Sequence, residues 1–189
     1  MKLVAGLGNP GRAYDRTRHN IGHDVLECLA RRNNLALWRE ARQAVEAHWK
    51  RADEDVLLIK PTTFMNLSGV AVGQALRFYK IDARDLLIVC DDVNLPLGRL
   101  RARAGGSEGG HNGLRSIADA LATTEYARLR IGVGRGDTER DLADHVLARF
   151  DPEEAPAIEQ AIARAADAVG TWVADGLDRM MNVYNREEQ

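Results

Sequence analysis

The chain has 189 residues, 45% of them hydrophobic and 29% charged, with a formal net charge of −2; this balance excludes disordered and fibrous proteins and suits one domain over residues 1–189. Its apolar runs are far shorter than the roughly 20 residues of a membrane helix, and Gly8-Asn9-Pro10-Gly11 interrupts the apolar start before a secretory signal could form. We therefore expect a cytoplasmic protein that has no contact with a membrane.

Strands and helices alternate along most of the chain. Period-two alternation or short apolar runs predict strands, and apolar residues three to four positions apart predict helices. In chain order they are strand 2–7, a helix from Asn20, strand 45–50, strand 55–60, helix 72–79 with Ser68 as N-cap, strand 85–90, strand 99–104, helix 114–121, strand 127–133, helix 142–147 and helix 158–173. The order predicts an α/β fold, a single domain with a twisted, largely parallel or mixed sheet flanked by helices.

The positive charge is concentrated in the middle of the chain. Residues 98–135 contain seven arginines and three acidic residues, a net charge of +4, whereas the remaining residues carry a net charge of −6. Arg99, Arg101 and Arg103 alternate with apolar residues, so one face of a strand presents all three. The region indicates either an anionic partner or a solvated surface.

A glycine pattern follows the first predicted strand. Gly6, Gly8 and Gly11 match the G-x-G-x-x-G sequence with which dinucleotide-binding proteins approach a pyrophosphate. In those proteins a helix contains the third glycine, whereas residues 12–19 have no apolar periodicity, and no second strand ends in an acid at the required distance. A structural turn is favoured, and a nicotinamide-dependent enzyme stays as an alternative.

Two further patterns suggest chemistry that their surroundings do not support. Residues 105–109 match the G-x-S-x-G nucleophile elbow, but arginines alternate through the strand before Ser107, and His145 lies in a helical pattern. His19 and His23 are four apart and could face a metal ion, yet no glutamate occupies the H-E-x-x-H position. We therefore predict no serine nucleophile, no bound metal and no cofactor.

Polar side chains cluster where the predicted strands end. In an open α/β sheet such loops converge on one crevice, so that separate segments can build one site. Each residue also has a structural alternative, because Asn and Asp commonly form turns and cap helices. The residues are Asn9, Tyr14, His19, Asn20, Phe64, Asn66, Asp91, Asp92, His111 and Asn112.

Longer segments resemble the signature sequences of bacterial peptidyl-tRNA hydrolases. They occur in the family's order over nearly the whole chain, and several long motifs in register coincide by chance far less readily than one short pattern. They are Gly6 to Gly11 with Tyr14, Thr17 to Asn20, Lys60 to Gly69, Gly109 to Leu114 and Arg128 to Gly132. The resemblance implies a monomeric, metal-free enzyme that hydrolyses the ester between a peptide and tRNA.

The resemblance also implies a role for each matching residue. His19 would be the general base that takes a proton from water, and Asp91 would hold its ring and stabilise the imidazolium. Asn66 and Asn112 would bind the peptide and the 3' CCA end of the tRNA, where their amides can also stabilise the oxyanion. Asn9 would favour an N-blocked chain over a free amino group.

Other matching residues imply contacts with the nucleic acid. Tyr14 and Phe64 would contact the terminal adenosine, because an aromatic face supports a base or ribose. Arg103 and Arg130 match positions that bind phosphates of the acceptor stem, which a guanidinium meets bidentately. The further substrate-binding positions are Asn20, Met65 and His111.

One rival reading shares this resemblance. RNA-binding relatives in plant organelles keep the family's fold and much of its site without catalysing a reaction. The sequence also departs from the common pattern, because Asn94 stands where many relatives carry an acid and Glu108 places an anion beside the predicted RNA path.

Overall fold

A seven-stranded sheet forms the centre of the computed structural model, which describes residues 1–35, 38–51, 53–136 and 141–186. In chain order the strands are β1 (Lys2–Gly6), β2 (Arg39–Ala41), β3 (Ala44–Arg51), β4 (Glu54–Pro61), β5 (Leu86–Asp92), β6 (Leu100–Arg103) and β7 (Ala127–Gly132). The helices are α1 (Ile21–Arg32), α2 (Ser68–Tyr79), α3 (Asn112–Leu121), α4 (Leu142–Leu147), α5 (Ala155–Asp175) and α6 (Leu177–Tyr184).

The sheet is mixed, with the strand order β2-β3-β4-β1-β5-β7-β6. The four strands β4, β1, β5 and β7 are parallel, whereas β2, β3 and β6 join by antiparallel pairing. β5 is buried from Leu86 to Asp91, as expected of a central strand with helices on both faces. The predicted α/β architecture is therefore confirmed.

Two hydrophobic clusters cover the two faces of the sheet. One includes side chains of α1 and α5, such as Leu26 and Trp172, and the other includes side chains of α2 and α3, such as Val72 and Ile117. The layers are thus helix, sheet and helix. None of the helices in the described ranges is long and apolar enough to cross a bilayer.

Every predicted strand and helix is present, but the cap of α2 differs from the prediction. The helix begins at Ser68 itself, and Leu67 occupies the N-cap position without a side-chain bond. A 3-10 turn, Met65–Leu67, leads into the helix, and the Ser68 hydroxyl donates to the Met65 carbonyl at 2.8 Å. The prediction that Ser68 is the N-cap was wrong, because this turn already supplies the helix entry.

The early glycines are explained by close packing of β1 against α1. A Cβ on Gly6 would lie 2.2 Å from the carbonyl oxygen of Gly22, and one on Gly8 would lie 2.8 Å from the ring of His23. Contacts this short exclude any side chain. Gly11 has a φ of 97°, which favours glycine in the turn that follows. These steric needs account for the G-x-G-x-x-G pattern without a dinucleotide.

Candidate active site

The site lies at the carboxyl edge of the parallel strands. β1, β4 and β5 run in the same direction, so the loops that follow them meet at one edge of the sheet. The loop after β1 contributes His19, and Asp91 lies near the end of β5. The loop before α3 adds His111, whose Nε2 lies 2.9 Å from Asp91 Oδ1.

His19 and Asp91 form a hydrogen-bonded pair. His19 belongs to a 3-10 turn, Arg18–Asn20, and its Nδ1 lies 2.9 Å from Asp91 Oδ1 and 3.0 Å from Oδ2. An ionised carboxylate only accepts, so Nδ1 carries the proton and donates it to Asp91. In a neutral ring this leaves the lone pair on Nε2, the atom that can accept a proton from a reactant.

Asp91 is ionised although it is buried. Only 3% of the residue is exposed, and burial by itself raises the pKa of its carboxyl. Electrostatic attraction and hydrogen bonds from His111 and His19 outweigh that burial and hold the pKa well below its ordinary value. The pair therefore keeps an acceptor carboxylate beside the imidazole at neutral pH.

Asn9 is held in place by the amide of Asn20. Asn20 Oδ1 accepts from the main-chain N–H of Asn9, and its Nδ2 donates to the Asn9 carbonyl, both at 2.9 Å. Asn9 Oδ1 in turn accepts from the main-chain N–H of Met65 at 2.7 Å. Asn20 is buried and lines neither of the two cavities that meet at His19, so its observed contacts are those with Asn9, and its substrate contact stays a prediction.

Two cavities meet at His19. The first, of about 260 Å³, extends past Asp91 and His111 toward Arg130, and the second, of about 390 Å³, extends past Asn9 toward Phe64. His19, Asn112, Ala143 and Val146 line both. A substrate bond placed at the imidazole can therefore have one group on each side of it.

The second cavity presents an aromatic pair and two amides. The rings of Tyr14 and Phe64 meet edge to face with centroids 6.2 Å apart, and Phe64 is 54% exposed. Asn66 and Asn112 are also exposed and line the same cavity, as do Met65 and Asn9. All six predicted residues of this group are thus brought together.

The predicted phosphate-binding arginines lie in different surroundings. Arg103 is exposed on the edge strand β6 and lines neither cavity. Arg130 lines the first cavity, but its guanidinium already donates to Asp92 at 3.3 Å and to the Ser107 carbonyl at 2.7 Å. The same carbonyl accepts from Arg128, which is fully buried. Part of the basic region is therefore internal structure.

Helix α4 is a part of the site that the sequence did not reveal. Ala143 and Val146 line both cavities, and Leu147 lines the second. The chain after α4 is tied to the His19 turn, because Thr17 forms a β-bridge with Arg149 and the Arg18 guanidinium donates to the Arg149 carbonyl at 2.6 Å. Motif spacing gave no signal for these contacts, since the segments are about 130 positions apart.

The rejected motifs have structural roles. His145 Nε2 lies 3.0 Å from the Gly134 carbonyl and is buried, and Ser107 uses its carbonyl to hold two arginines. Burial, with a contribution from Lys60, lowers the pKa of His23 to about 3. The contacts of His145 and of the Ser107 carbonyl are thus internal to the fold.

One group of possible metal ligands exists among the described residues. Ligand atoms of His19, Asp91 and His111 lie within 4.8 Å of one another, and His23 is not a member. The same atoms are already joined by hydrogen bonds of 2.9 Å. Hydrogen bonds from two imidazoles to one carboxylate therefore explain why these three side chains lie close together.

A histidine bonded to a buried carboxylate, beside two cavities at the carboxyl edge of an α/β sheet, is an arrangement that enzymes use for general acid–base chemistry. Comparison with known proteins identifies its family. The family model "Peptidyl-tRNA hydrolase" matches residues 3–189. The chain belongs to the peptidyl-tRNA hydrolase family.

Individual relatives agree with this assignment over their whole length. The peptidyl-tRNA hydrolase of Chloroflexus aggregans is 49% identical, covering 98% of this chain and 99% of the relative. That of Desulfitobacterium hafniense is 46% identical, with coverage of 98% and 100%. The crystal structure of the Acinetobacter baumannii peptidyl-tRNA hydrolase has a TM-score of 0.92 at 33% identity, covering 100% of this chain and 96% of that one.

Proposed function

We propose that this protein hydrolyses the ester that joins an N-blocked peptide to tRNA, with His19 as the general base. One observation carries the proposal: the His19 imidazole is bonded through Nδ1 to the buried Asp91 carboxylate and lies where the two cavities meet. The family resemblance further supports a monomer that acts in the cytoplasm, on the 3' CCA end and acceptor stem of its substrate.

Water is the nucleophile in this proposal. His19 Nε2 takes a proton from a water molecule as its oxygen attacks the ester carbonyl, and Asp91 stabilises the imidazolium that forms. When the tetrahedral intermediate collapses, the imidazolium returns the proton to the leaving 3' or 2' oxygen of the ribose. The products are a peptide with a free carboxyl group and an intact tRNA.

The amides around His19 stabilise charge and select the substrate. Asn66 and Asn112 present side-chain N–H donors in the cavity where the carbonyl oxygen gains negative charge. Asn9 Oδ1 is occupied by Met65, which leaves Nδ2 as the group offered to the ligand. Because an amide N–H binds a carbonyl and repels an ammonium group, Asn9 favours an N-blocked peptide over a free aminoacyl group.

The nucleic acid follows the aromatic and basic residues. Tyr14 and Phe64 form an exposed edge-to-face pair against which the terminal adenosine can stack. Arg103 has an exposed side chain for a phosphate of the acceptor stem. Arg130 would have to share its guanidinium between a phosphate and its present partners, Asp92 and Ser107.

A direct assay tests the activity. The purified protein is incubated with N-acetyl-aminoacyl-tRNA in the presence of EDTA, and the release of N-acetyl amino acid is measured. We expect multiple turnovers, with little release from the unblocked aminoacyl-tRNA. Tight binding of tRNA without hydrolysis would instead favour the RNA-binding rival and overturn the proposal.

The role of His19 is tested with His19→Ala. We expect turnover to fall by at least about 10³-fold because no base activates the water, while the Kd for tRNA changes little. His48→Ala is a matched control, since His48 is exposed on β3 and contacts Tyr79 outside the site. Near-normal activity of His19→Ala would refute the mechanism.

A further inference from the structure

His111 is the N-cap residue of α3, and both of its ring nitrogens have hydrogen-bond partners. Nδ1 accepts from the main-chain N–H groups of Gly113, at 3.1 Å, and Leu114, at 3.3 Å. A main-chain N–H can only donate, so Nδ1 must present a lone pair in this arrangement. The start of the helix thereby selects one tautomer of the ring.

The other nitrogen of His111 then carries the proton. Nε2 lies 2.9 Å from Asp91 Oδ1, and the ionised carboxylate can only accept, so the bond runs from Nε2–H to Oδ1. The protonation of each ring nitrogen therefore follows from a separate partner: the helix N–H groups require a lone pair on Nδ1, and the carboxylate requires a proton on Nε2. A neutral His111 in the Nε2–H form satisfies all of these contacts.

Asp91 is consequently shared by two donors. Oδ1 accepts from His111 and lies 2.9 Å from His19 Nδ1, and the two ring centroids are 5.0 Å apart. The His111 bond fixes the rotation of the carboxylate, and the carboxylate fixes the direction in which His19 Nδ1 points. The position of the base thus depends on the first turn of α3.

We propose that His111, held as the Nε2–H tautomer by the N-terminus of α3, is a positioning residue that sets the Asp91 carboxylate for His19. This rests on the proposed function, in which His19 is the base. It differs from the substrate-binding role that the resemblance implies, since both polar atoms of the ring are already used within the protein. The glycine-rich loop before His111 thereby becomes coupled to the catalytic pair.

The tautomer can be measured without substrate. Two-bond ¹H–¹⁵N spectra of the free wild-type protein, with the five histidines assigned by single His→Asn variants, should show His111 with an unprotonated Nδ1 and a protonated Nε2 at neutral pH. A protonated Nδ1 in that spectrum would overturn the proposal. This result stands whether or not the protein hydrolyses peptidyl-tRNA.

The positioning role is tested with His111→Asn. Asparagine is a good N-cap, so α3 keeps its acceptor, but the shorter side chain does not reach Asp91. We expect kcat to fall roughly tenfold with a smaller change in KM, because the base is less well oriented. Thermal unfolding should remain close to that of the wild type.

The pH profile separates positioning from substrate contact. Without the His111 donor, Asp91 accepts more strongly from His19, so the acid limb of kcat/KM should move to higher pH. The other charged groups lining this cavity, Asp92, Glu108, Arg130 and Arg135, are unchanged in the variant. A rise in KM alone, with the acid limb unmoved, would assign His111 to the substrate. His48→Asn should leave both kinetic constants unaltered.

Discussion

At the scale of single residues, Asp91 determines, in the proposed mechanism, which nitrogen of His19 acts as the base. Asp91→Asn replaces an acceptor by an amide that donates from one side, so the imidazole can turn its lone pair to Nδ1 and leave Nε2 protonated. We expect kcat to fall roughly 100-fold, at the lower end of what general-base catalysis contributes and less than in His19→Ala, because a fraction of the rings keeps the productive tautomer. Steady-state hydrolysis of N-acetyl-aminoacyl-tRNA measures this.

The kinetic constants distinguish this explanation from a direct contact. Loss of orientation lowers kcat with KM nearly constant, whereas equal losses in affinity and rate would mean that Asp91 touches the substrate. Asp119→Asn is a suitable control, because Asp119 is exposed on α3 and lines neither cavity of the site. It should retain wild-type kinetics.

The sequence could suggest these residues but not how they are paired. Asp91 and His19 are 72 positions apart, and only the family resemblance joined them before the fold was known. The hydrogen bonds of Asn20 were not predicted, because its partners are main-chain atoms of Asn9, which no side-chain pattern records. The N-cap hydrogen bonds of His111 were not predicted for the same reason, since its partners are the main-chain N–H groups of α3.

At the scale of elements, Arg18 fastens the His19 turn to the chain that follows α4. Its side chain is 5% exposed and donates to Glu154 at 2.7 Å and to the Arg149 carbonyl at 2.6 Å, with Phe150 below it. Arg18→Ala removes a donor from the Arg149 carbonyl and leaves Glu154 Oε2 with the main-chain N–H of Asp151. We expect the free energy of unfolding to fall by roughly 3 kcal/mol. Urea denaturation measures the change.

Arg84 provides the matched comparison for this ion pair. It bonds Asp82 at 3.0 Å with a side chain that is 81% exposed, so Arg84→Ala should have little effect on stability. Similar losses in the two variants would show that Arg18 is not a structural clamp. Because α4 lines both cavities, we also expect Arg18→Ala to raise KM in the folded fraction of the variant.

Helices and strands were predicted well where local apolar spacing determines them, and poorly where contacts distant in sequence determine their position. Apolar spacing was enough to predict α1, α2, α3 and α5, because each buries one stripe against the sheet. The six residues of α4 were predicted as a helix, yet their place over the cavities depends on contacts with the His19 turn that sequence spacing does not encode. The three-residue β2 is too short for any pattern.

At the scale of the whole molecule, the charge count overstated the basic surface. Residues 98–135 carry a net charge of +4. However, Arg128 is fully buried and donates to the carbonyls of Ser107 and Thr124. Arg130 is half-buried against Asp92. Net charge along a sequence cannot separate exposed guanidiniums from those that hydrogen-bond a loop, so the positive charge at the surface is smaller than the count suggests.

The stability of the whole fold depends on pH, and the ionisation of Asp24 lowers that stability as the pH rises. Burial, opposed by Arg16 but assisted by Asp15 and Glu27, raises the pKa of the Asp24 carboxyl to about 6. Because the unfolded chain ionises this group near pH 3.9, the fold loses stability as the pH rises from about 4 through 6. Asp24→Asn removes that loss, and we expect a gain of about 1 kcal/mol in the free energy of unfolding at pH 7.5.

The gain should be small at pH 4, where Asp24 is protonated in the fold and ionised in only about half of the unfolded chains. Urea denaturation at both pH values measures the difference. Asp178→Asn is the matched control, because Asp178 also lies in the first turn of a helix, α6, but is exposed. That variant loses only a favourable helix-dipole interaction and should be no more stable than the wild type at either pH. An Asp24→Asn protein with equal gains at pH 4 and pH 7.5 would show that packing, and not a buried charge, limits stability at this position.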